Sequence, residues 1–166
     1  MGQLSSAFSA AAAEAASVCL ADRGHSTPTP MQLQGEVPAV ATLHWSQPSG
    51  QAVRTWADQE VATEQAAYAV AALLVSEMSE LEIVERSRKG TGFDFWLGEK
   101  GSTTGLFQAK ARLEVSGIRS GTRNDVAERV RRKNAQTERS AGALAAIVVV
   151  VELGGPLSWI AINSRR

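Results

Sequence analysis

Helical spacing of apolar residues marks three segments of the chain. Residues 4–21 are rich in alanine and residues 56–78 contain no glycine or proline, and in both segments apolar side chains recur every three or four positions. Residues 123–139 carry a thinner apolar stripe around Val126 and Val130. Thr122 can cap this third segment, with Asp125 as the reciprocal partner. These patterns predict three helices.

Alternating and continuous apolar runs separate the helices and predict strands. Short strands are expected over residues 40–45 and 81–89, and a hairpin is expected from residues 93–97 and 107–115, joined by a turn at 98–102. Residues 145–153 form a β-branched apolar run that suits a strand buried on both faces, and a last strand follows a Gly-Gly-Pro turn. The pattern therefore predicts an α/β fold in the broad sense. Its single sheet is expected to contain both parallel and antiparallel strands, as in α+β proteins.

The hairpin places polar side chains together on one face. Asp94 points away from its phenylalanine neighbours in the first strand, and Gln108 and Lys110 do the same in the second. If the apolar faces share one core, a carboxylate, an amide oxygen and an ammonium group meet on the opposite face. Oxygen ligands hold a hard cation such as Mg²⁺, and a lysine beside the cation can hold a phosphate or orient an attacking water. The hairpin thus predicts a site for metal-assisted hydrolysis.

A carboxylate also interrupts the apolar stripe of the second predicted helix. Glu64 lies three residues after Val61 and four before Tyr68. A carboxylate on the core-facing side of a helix is costly unless it is paired or bound to a metal. Glu64 is therefore a candidate ligand, with Glu60 one turn earlier as the second choice. The alternative is that Glu64 lies at the edge of the stripe and reaches solvent.

The order helix, three strands, helix, strand over residues 56–153 resembles the PD-(D/E)XK nuclease superfamily. The spacing of Glu64, Asp94 and Gln108-Ala109-Lys110 is similar to that of Mrr-type restriction endonucleases and archaeal Holliday-junction resolvases. The resemblance implies a restriction-endonuclease-like αβββαβ core, with an N-terminal helix and strand in residues 1–55 and an extra C-terminal strand. It also implies that Glu64, Asp94 and Gln108 hold one Mg²⁺ or Mn²⁺ ion and that Lys110 completes the catalytic set.

One position departs from the usual superfamily motif. Gln108 stands where most members have an acid, although Mrr-type members carry Q-x-K there. Glutamine keeps an oxygen ligand but removes a charge, so the metal affinity should fall. Glu114 lies on the same strand face as Lys110 and can supply the missing charge from farther along the strand.

Charge is balanced over the whole chain but not along it. The formal net charge is zero, whereas residues 119–139 contain seven basic and three acidic residues, a local net charge of +4. A basic segment of this kind suits contact with a nucleic-acid backbone, most simply DNA. The expected contacts are Arg112, Arg119, Arg129, Arg131, Arg132 and Lys133. The alternative is a solvated helix face in which Glu128 and Glu138 pair with the basic side chains.

Length and composition are those of one globular domain over residues 1–166. The single cysteine, Cys19, excludes an internal disulfide and favours a reducing compartment. The longest apolar run near the C-terminus is too short to span a bilayer, and the N-terminal segment lacks the basic start of a signal peptide. We therefore expect a cytoplasmic protein without a membrane partner.

Three functional hypotheses follow. The first is a metal-dependent endonuclease in bacterial defence or DNA processing, acting as a homodimer or with a partner that targets it. The second is a catalytically silent module of the same fold, which binds a protein partner or nucleic acid as a subunit of a larger system. The third is a protein unrelated to nucleic acid, in which Asp94, Lys110, Arg112 and Glu114 form a structural ion-pair network.

Overall fold

The structure is a computed structural model that describes residues 4–101, 109–139 and 144–163. The described residues form four helices and seven strands, in the order α1 (Ser6–Asp22), β1 (Thr29–Gly35), β2 (Ala39–Leu43), α2 (Gly50–Thr55), α3 (Gln59–Met78), β3 (Leu81–Arg86), β4 (Phe95–Glu99), β5 (Ala111–Ile118), α4 (Arg123–Arg139), β6 (Ala145–Glu152) and β7 (Leu157–Asn163). The mixed α/β class predicted from the sequence is confirmed.

All seven strands belong to one mixed sheet in the order β2-β1-β7-β6-β5-β4-β3. β4 pairs antiparallel with both β3 and β5, and α4 then crosses over to β6, which is parallel to β5. β7 turns back antiparallel beside β6, and β1 pairs with β7 in parallel. The register of β4 and β5 places Phe95 opposite Leu113 and Trp96 opposite Arg112.

Helices cover both faces of the sheet. α1 and α3 bury alanine-rich surfaces against the face that carries Phe95, Leu97 and Leu113, and this cluster is the main core. α4 covers the other face, where its Val126 and Val130 pack on Val148 and Val150 of β6. Because helices cover both faces, β6 is apolar almost throughout, as its unbroken hydrophobic run predicts.

The three long helices lie where the sequence predicts them, with one change at a boundary. α3 begins at Gln59 rather than at Trp56, because the Asp58 carboxylate accepts hydrogen bonds from the backbone N–H groups of Glu60 and Val61 at 3.0 and 3.1 Å. Residues 50–55 form the separate helix α2, which the sequence analysis did not predict. Among the described residues, no helix is long and apolar enough to cross a membrane.

The strands differ from the expectation at several places. β3 ends at Arg86 and β4 runs over Phe95–Glu99, so Asp94, which was expected within the first hairpin strand, lies just before it. β1 was not predicted, because the prolines around it favour a loop. It begins at Thr29. The signal for a strand was the alternation of Met31 and Leu33, which are buried, with more exposed neighbours. The second hairpin strand was expected to begin at residue 107, and β5 begins at Ala111. Residues 102–108, which include Gln108, lie outside the described residues, so the assignment of Gln108 as a ligand stays a prediction.

Candidate functional site

Asp94 lies just before β4, between the residue that follows β3 and the first half of β5. Its backbone N–H donates to the carbonyl of Leu113 at 2.9 Å, and its carbonyl accepts from the N–H of Ser87 at 2.8 Å. The side chain turns toward β5, where Oδ2 accepts a hydrogen bond from the N–H of Val115 at 2.8 Å. Main-chain and side-chain contacts therefore fix the position of this carboxylate beside β5.

Glu114 of β5 is the acidic neighbour of Asp94. Its side chain lies beneath α4 and only 2% of the residue is exposed. The Lys133 ammonium donates to Glu114 Oε1 at 2.5 Å, and the Gln136 amide donates to the same oxygen at 3.2 Å. The Asp94 and Glu114 carboxyl groups lie close enough for the charge of Asp94 to raise the pKa of Glu114. Two carboxyl groups and one ammonium group thus share one partly enclosed space.

Tyr68 connects this pair to α3. Its hydroxyl group donates to Glu64 Oε1 at 2.5 Å and lies 3.3 Å from Asp94 Oδ1. The ring packs edge-on against Phe95, with 5.0 Å between the centroids, so the hydroxyl group is held by the core below it. Glu64 is exposed to solvent but is tied to the buried part of the site through this hydroxyl group.

A close approach of α3 to β5 brings these residues together. A Cβ atom at Gly117 would lie 2.6 Å from the backbone oxygen of Thr63, one residue before Glu64. Only glycine fits where β5 passes under the first half of α3. On the opposite side, the Gln136 amide also donates to the carbonyl of Gly92 at 3.2 Å, which ties α4 to the loop before Asp94.

Burial and mutual repulsion raise the pKa values of both carboxyl groups. Burial raises the pKa of Glu114 to about 7, with the charge of Asp94 as the next cause and the Lys133 ammonium acting in the opposite direction. Burial is also the main cause that raises the pKa of Asp94, against the opposing hydrogen bond from Val115. Burial and the neighbouring Glu64 and Asp94 carboxylates raise the pKa of Tyr68, so its hydroxyl group stays protonated. Near neutral pH the carboxyl pair therefore retains a proton unless a further cation enters.

Two clefts open at the site, and Glu64, Tyr68, Asp94 and Lys133 line both. The first, of about 460 Å³, extends along the end of β5 to Arg119 and is bordered by Arg129. The second, of about 610 Å³, extends along the segment after β3 and includes Glu114 and Gln136. Ligand can therefore reach Asp94 and Glu64 from two sides and Glu114 from the second cleft.

The structure brings some of the predicted site residues together and separates others. Glu64 and Asp94 meet through Tyr68, as the sequence analysis expected of a shared site. Lys110 does not join them, which corrects the expectation for its placement. Its half-exposed ammonium group pairs with Glu99 at 3.4 Å and lines neither cleft. Lys110 lies four residues before Glu114, or roughly 13 Å along an extended strand.

The residues predicted to contact nucleic acid fall into two groups, those that line a cleft and those that do not. Arg119, Arg129 and Lys133 line the clefts, where Arg129 donates to the Ser116 hydroxyl group at 2.8 Å. Exposed Arg131 and Arg132 on α4 line neither cleft.

Arg112 is a correction to the prediction of a surface contact. It is 4% exposed, and its guanidinium group donates to the carbonyl oxygens of Thr137 and Leu144 at 3.3 and 2.9 Å. Arg112 therefore lies in the interior and fastens the end of α4 to the sheet.

Sequence reasoning missed the part that Tyr68 and Gln136 play and assigned Lys133 only to backbone contact. A signal for each was present. Tyr68 follows Glu64 by four residues, so the two lie on one helix face. Lys133 lies four residues after Arg129 and three before Gln136, which places all three on one face of α4.

Comparisons with protein-family models, with curated proteins and with solved structures gave no match. Within residues 4–101, 109–139 and 144–163, no three His, Cys, Asp or Glu side chains form a ready-made metal-binding group. The acidic pair at Asp94 and Glu114 is consequently the donor set on which a metal hypothesis must rest.

Proposed function

We propose that this protein hydrolyses phosphodiester bonds in nucleic acid with the help of Mg²⁺ or Mn²⁺. In this proposal Asp94 and Glu114 hold the cation, Glu64 contributes from α3, and Lys133 supplies the ammonium group. The observation that carries the proposal is the position of the Asp94 carboxylate, which lines both clefts and is bonded to the N–H group of Val115, next to Glu114 and its Lys133 partner.

The residues fit a hard divalent cation. Mg²⁺ prefers oxygen ligands and is commonly held by one or two carboxylates together with waters and substrate phosphates. Asp94 and Glu114 are such a pair, and their raised pKa values mean that a cation would replace a retained proton. When bound, the cation would polarise a phosphoryl oxygen and lower the pKa of a coordinated water.

The chain's own residues have distinct tasks in this proposal. Tyr68 orients the Glu64 and Asp94 carboxylates, and the Val115 N–H group fixes the second oxygen of Asp94. Lys133, held by Glu114 in the free protein, would turn its charge toward the phosphate or the attacking water. Burial of Glu114 keeps bulk water from screening these charges.

The order of elements supports the proposed relation to the PD-(D/E)XK nucleases. α3, the antiparallel β3-β4-β5 meander, the crossover helix α4 and parallel β6 follow one another as an αβββαβ core. The acid expected at Gln108 is supplied instead by Glu114, and the lysine expected at Lys110 by Lys133 of α4. A helix lysine can replace a strand lysine because catalysis requires the ammonium group at the phosphate, whichever element carries it.

A second candidate function is a catalytically silent module that binds nucleic acid or a protein partner. The observation that favours it is the engagement of both candidate lysines, since Lys110 pairs with Glu99 and Lys133 with Glu114. Such a module would use the basic rims of the clefts without cutting.

A plasmid-nicking assay with Mg²⁺ or Mn²⁺ tests the proposal and separates it from the alternative. We expect Asp94→Asn, Glu114→Gln and Lys133→Gln each to lower the nicking rate by roughly 10²–10³-fold. Lys110→Gln should retain the wild-type rate within a factor of about three, because its pairing with Glu99 is exposed and weak. Loss of activity in Lys110→Gln but not in Lys133→Gln would refute the assignment of the lysine. Salt-sensitive binding without nicking by wild type would favour the silent module.

A further inference from the structure

Basic residues flank Asp94 on two sides. Arg119 and Arg129 line the first cleft, and the end of β3 with the segment after it brings further basic residues to the second cleft. We propose that Arg86, Arg88 and Lys89, the β3 bank, bind phosphates of a DNA strand that crosses the site and continues on both sides of the cleaved bond. This inference rests on the proposed hydrolytic function and specifies its substrate as an internal phosphate of a strand.

Strand pairing puts the β3 bank directly beside the acidic pair. The N–H group of Ser87 donates to the carbonyl of Asp94 at 2.8 Å, so the chain between Arg86 and Arg88 is the immediate neighbour of Asp94 on one side. β5 is the neighbour on the other side, because the N–H group of Asp94 donates to the carbonyl of Leu113, the residue before Glu114. Adjacent strands are about 4.8 Å apart, so the three chains span roughly 10 Å with Asp94 in the middle.

Aromatic packing holds Arg86 at the edge of the site. Its guanidinium carbon lies 5.4 Å from the ring centroid of Tyr68 and 5.8 and 5.9 Å from those of Phe8 and Phe95. Contacts with ring faces stabilise the cation but do not occupy its N–H donors, which can still bind phosphate oxygens. Arg88 and Lys89 are exposed and form no ion pair within the described residues.

Charge along the two clefts favours an anion that occupies both. The cleft with the β3 bank is lined by four cations and three carboxyl groups, and the cleft with Arg119 and Arg129 by three of each. A divalent cation at Asp94 and Glu114 would make both clefts net positive. A mononucleotide needs only one cleft, whereas a strand that enters by one cleft and leaves by the other meets basic residues at both ends.

Binding of a single-stranded DNA of about twenty nucleotides, with Ca²⁺ in place of Mg²⁺, tests the β3 bank directly. Each lost phosphate contact reduces the salt slope of binding to a single strand by about 0.7, so Arg88→Gln with Lys89→Gln should reduce it by about 1.4. The corresponding loss of affinity at 0.1 M salt is roughly 25-fold. Arg54→Gln with Lys100→Gln removes the same charges from exposed sites outside both clefts and should leave the slope unchanged.

Equal salt slopes of DNA binding for the two double variants would refute the assignment of the β3 bank to phosphate binding. That result would leave the proposed hydrolytic function standing if wild type cuts DNA. The opposite outcome can also be recognised. A salt slope reduced only in the Arg88 and Lys89 variant, with no cutting by wild type, would support phosphate binding by the β3 bank and refute hydrolysis. An RNA strand of the same sequence serves as a second arm, and tighter, bank-dependent binding of RNA would overturn the assignment to DNA.

The passage of the strand through both clefts has its own test. Wild type with Mg²⁺ or Mn²⁺ should convert circular single-stranded DNA to the linear form, because a strand that crosses the site needs no free end. Cutting of linear DNA only from its ends, with circles left intact, would overturn the inference.

Discussion

The buried carboxyl group of Glu114 should make the metal-free protein less stable as the pH rises. The pKa of an ordinary glutamate is 4.5, whereas burial and the charge of Asp94 raise that of Glu114 to about 7. Its folded-state pKa lies above the unfolded value, so the folded protein holds this proton more tightly. The stabilisation is complete below about pH 4.5 and is lost as the pH rises through about 7.

The size of this effect follows from the two pKa values. At 1.36 kcal/mol for each pKa unit, a rise from 4.5 to about 7 corresponds to about 3 kcal/mol of unfolding free energy. Glu114 is 2% exposed, so solvent screening does not reduce this figure appreciably. Glu114→Gln removes the titration but keeps an oxygen that can accept from Lys133 and Gln136.

Urea unfolding at pH 5 to 8 in the presence of a chelator measures the effect. Between pH 5 and 8 the difference in unfolding free energy between wild type and Glu114→Gln should shift by roughly 2.5 kcal/mol in favour of the variant, because a small part of the effect is already lost below pH 5. Glu128→Gln, which alters an exposed carboxylate on α4, is the control and should give a flat difference. A flat difference for Glu114→Gln as well, or one that favours wild type at high pH, would refute the reasoning.

Three further predictions concern the same site. Mg²⁺ or Mn²⁺ should release up to about one proton per site at pH 7, measured calorimetrically in buffers of different ionisation enthalpy, and should not do so in Glu114→Gln. Tyr68→Phe removes the hydroxyl group between Glu64 and Asp94 and should weaken Mn²⁺ binding by roughly 10-fold or more in a titration, with the fold retained by circular dichroism. Gly117→Ala should lower the unfolding free energy by roughly 1–3 kcal/mol, because the new Cβ would press on the Thr63 backbone, and an unchanged denaturation midpoint would contradict that close approach.

Local patterns were enough to place the main elements of this fold. Helical spacing located α1, α3 and α4, and the β-branched run located β6. β1 was missed because the prolines near it favour a loop and because its partner β7 is distant in sequence. The boundary of α3 was missed although its signal, the capping residue Asp58, is local.

The candidate site was predicted less fully, for a reason that lies in strand pairing. Alternation along a strand tells which residues share a face, and it put Lys110 and Glu114 together on the face opposite the core residue Leu113. The structure confirms this for Glu114, which lies under α4, whereas Lys110 precedes β5. Which of them lies beside Asp94 depends on register, and the pairing of Phe95 with Leu113 selects Glu114. A single sequence does not contain that choice, because a slip of two residues leaves every side chain on the same face.

The choice of lysine was hidden in a similar way. The basic run on α4 has several cations, and the rotation of the helix decides which of them faces the sheet. Val126 and Val130 pack on β6, which turns Lys133 toward Glu114 and leaves Arg131 and Arg132 in solvent. Tyr68 was read as part of an apolar stripe, and its ring is indeed buried, but its hydroxyl group belongs to the site.

The central claim is that Asp94 and Glu114 hold one divalent cation beside Lys133. Anomalous diffraction from crystals soaked in Mn²⁺ tests it most directly, followed by refinement of the Mg²⁺ form. We predict one peak between the two carboxylates, with Mg²⁺–oxygen distances of about 2.0–2.1 Å and a hydrogen bond from Tyr68 retained on Asp94 or Glu64. A peak bound elsewhere, or no peak while Lys133 remains paired with Glu114, would contradict the account.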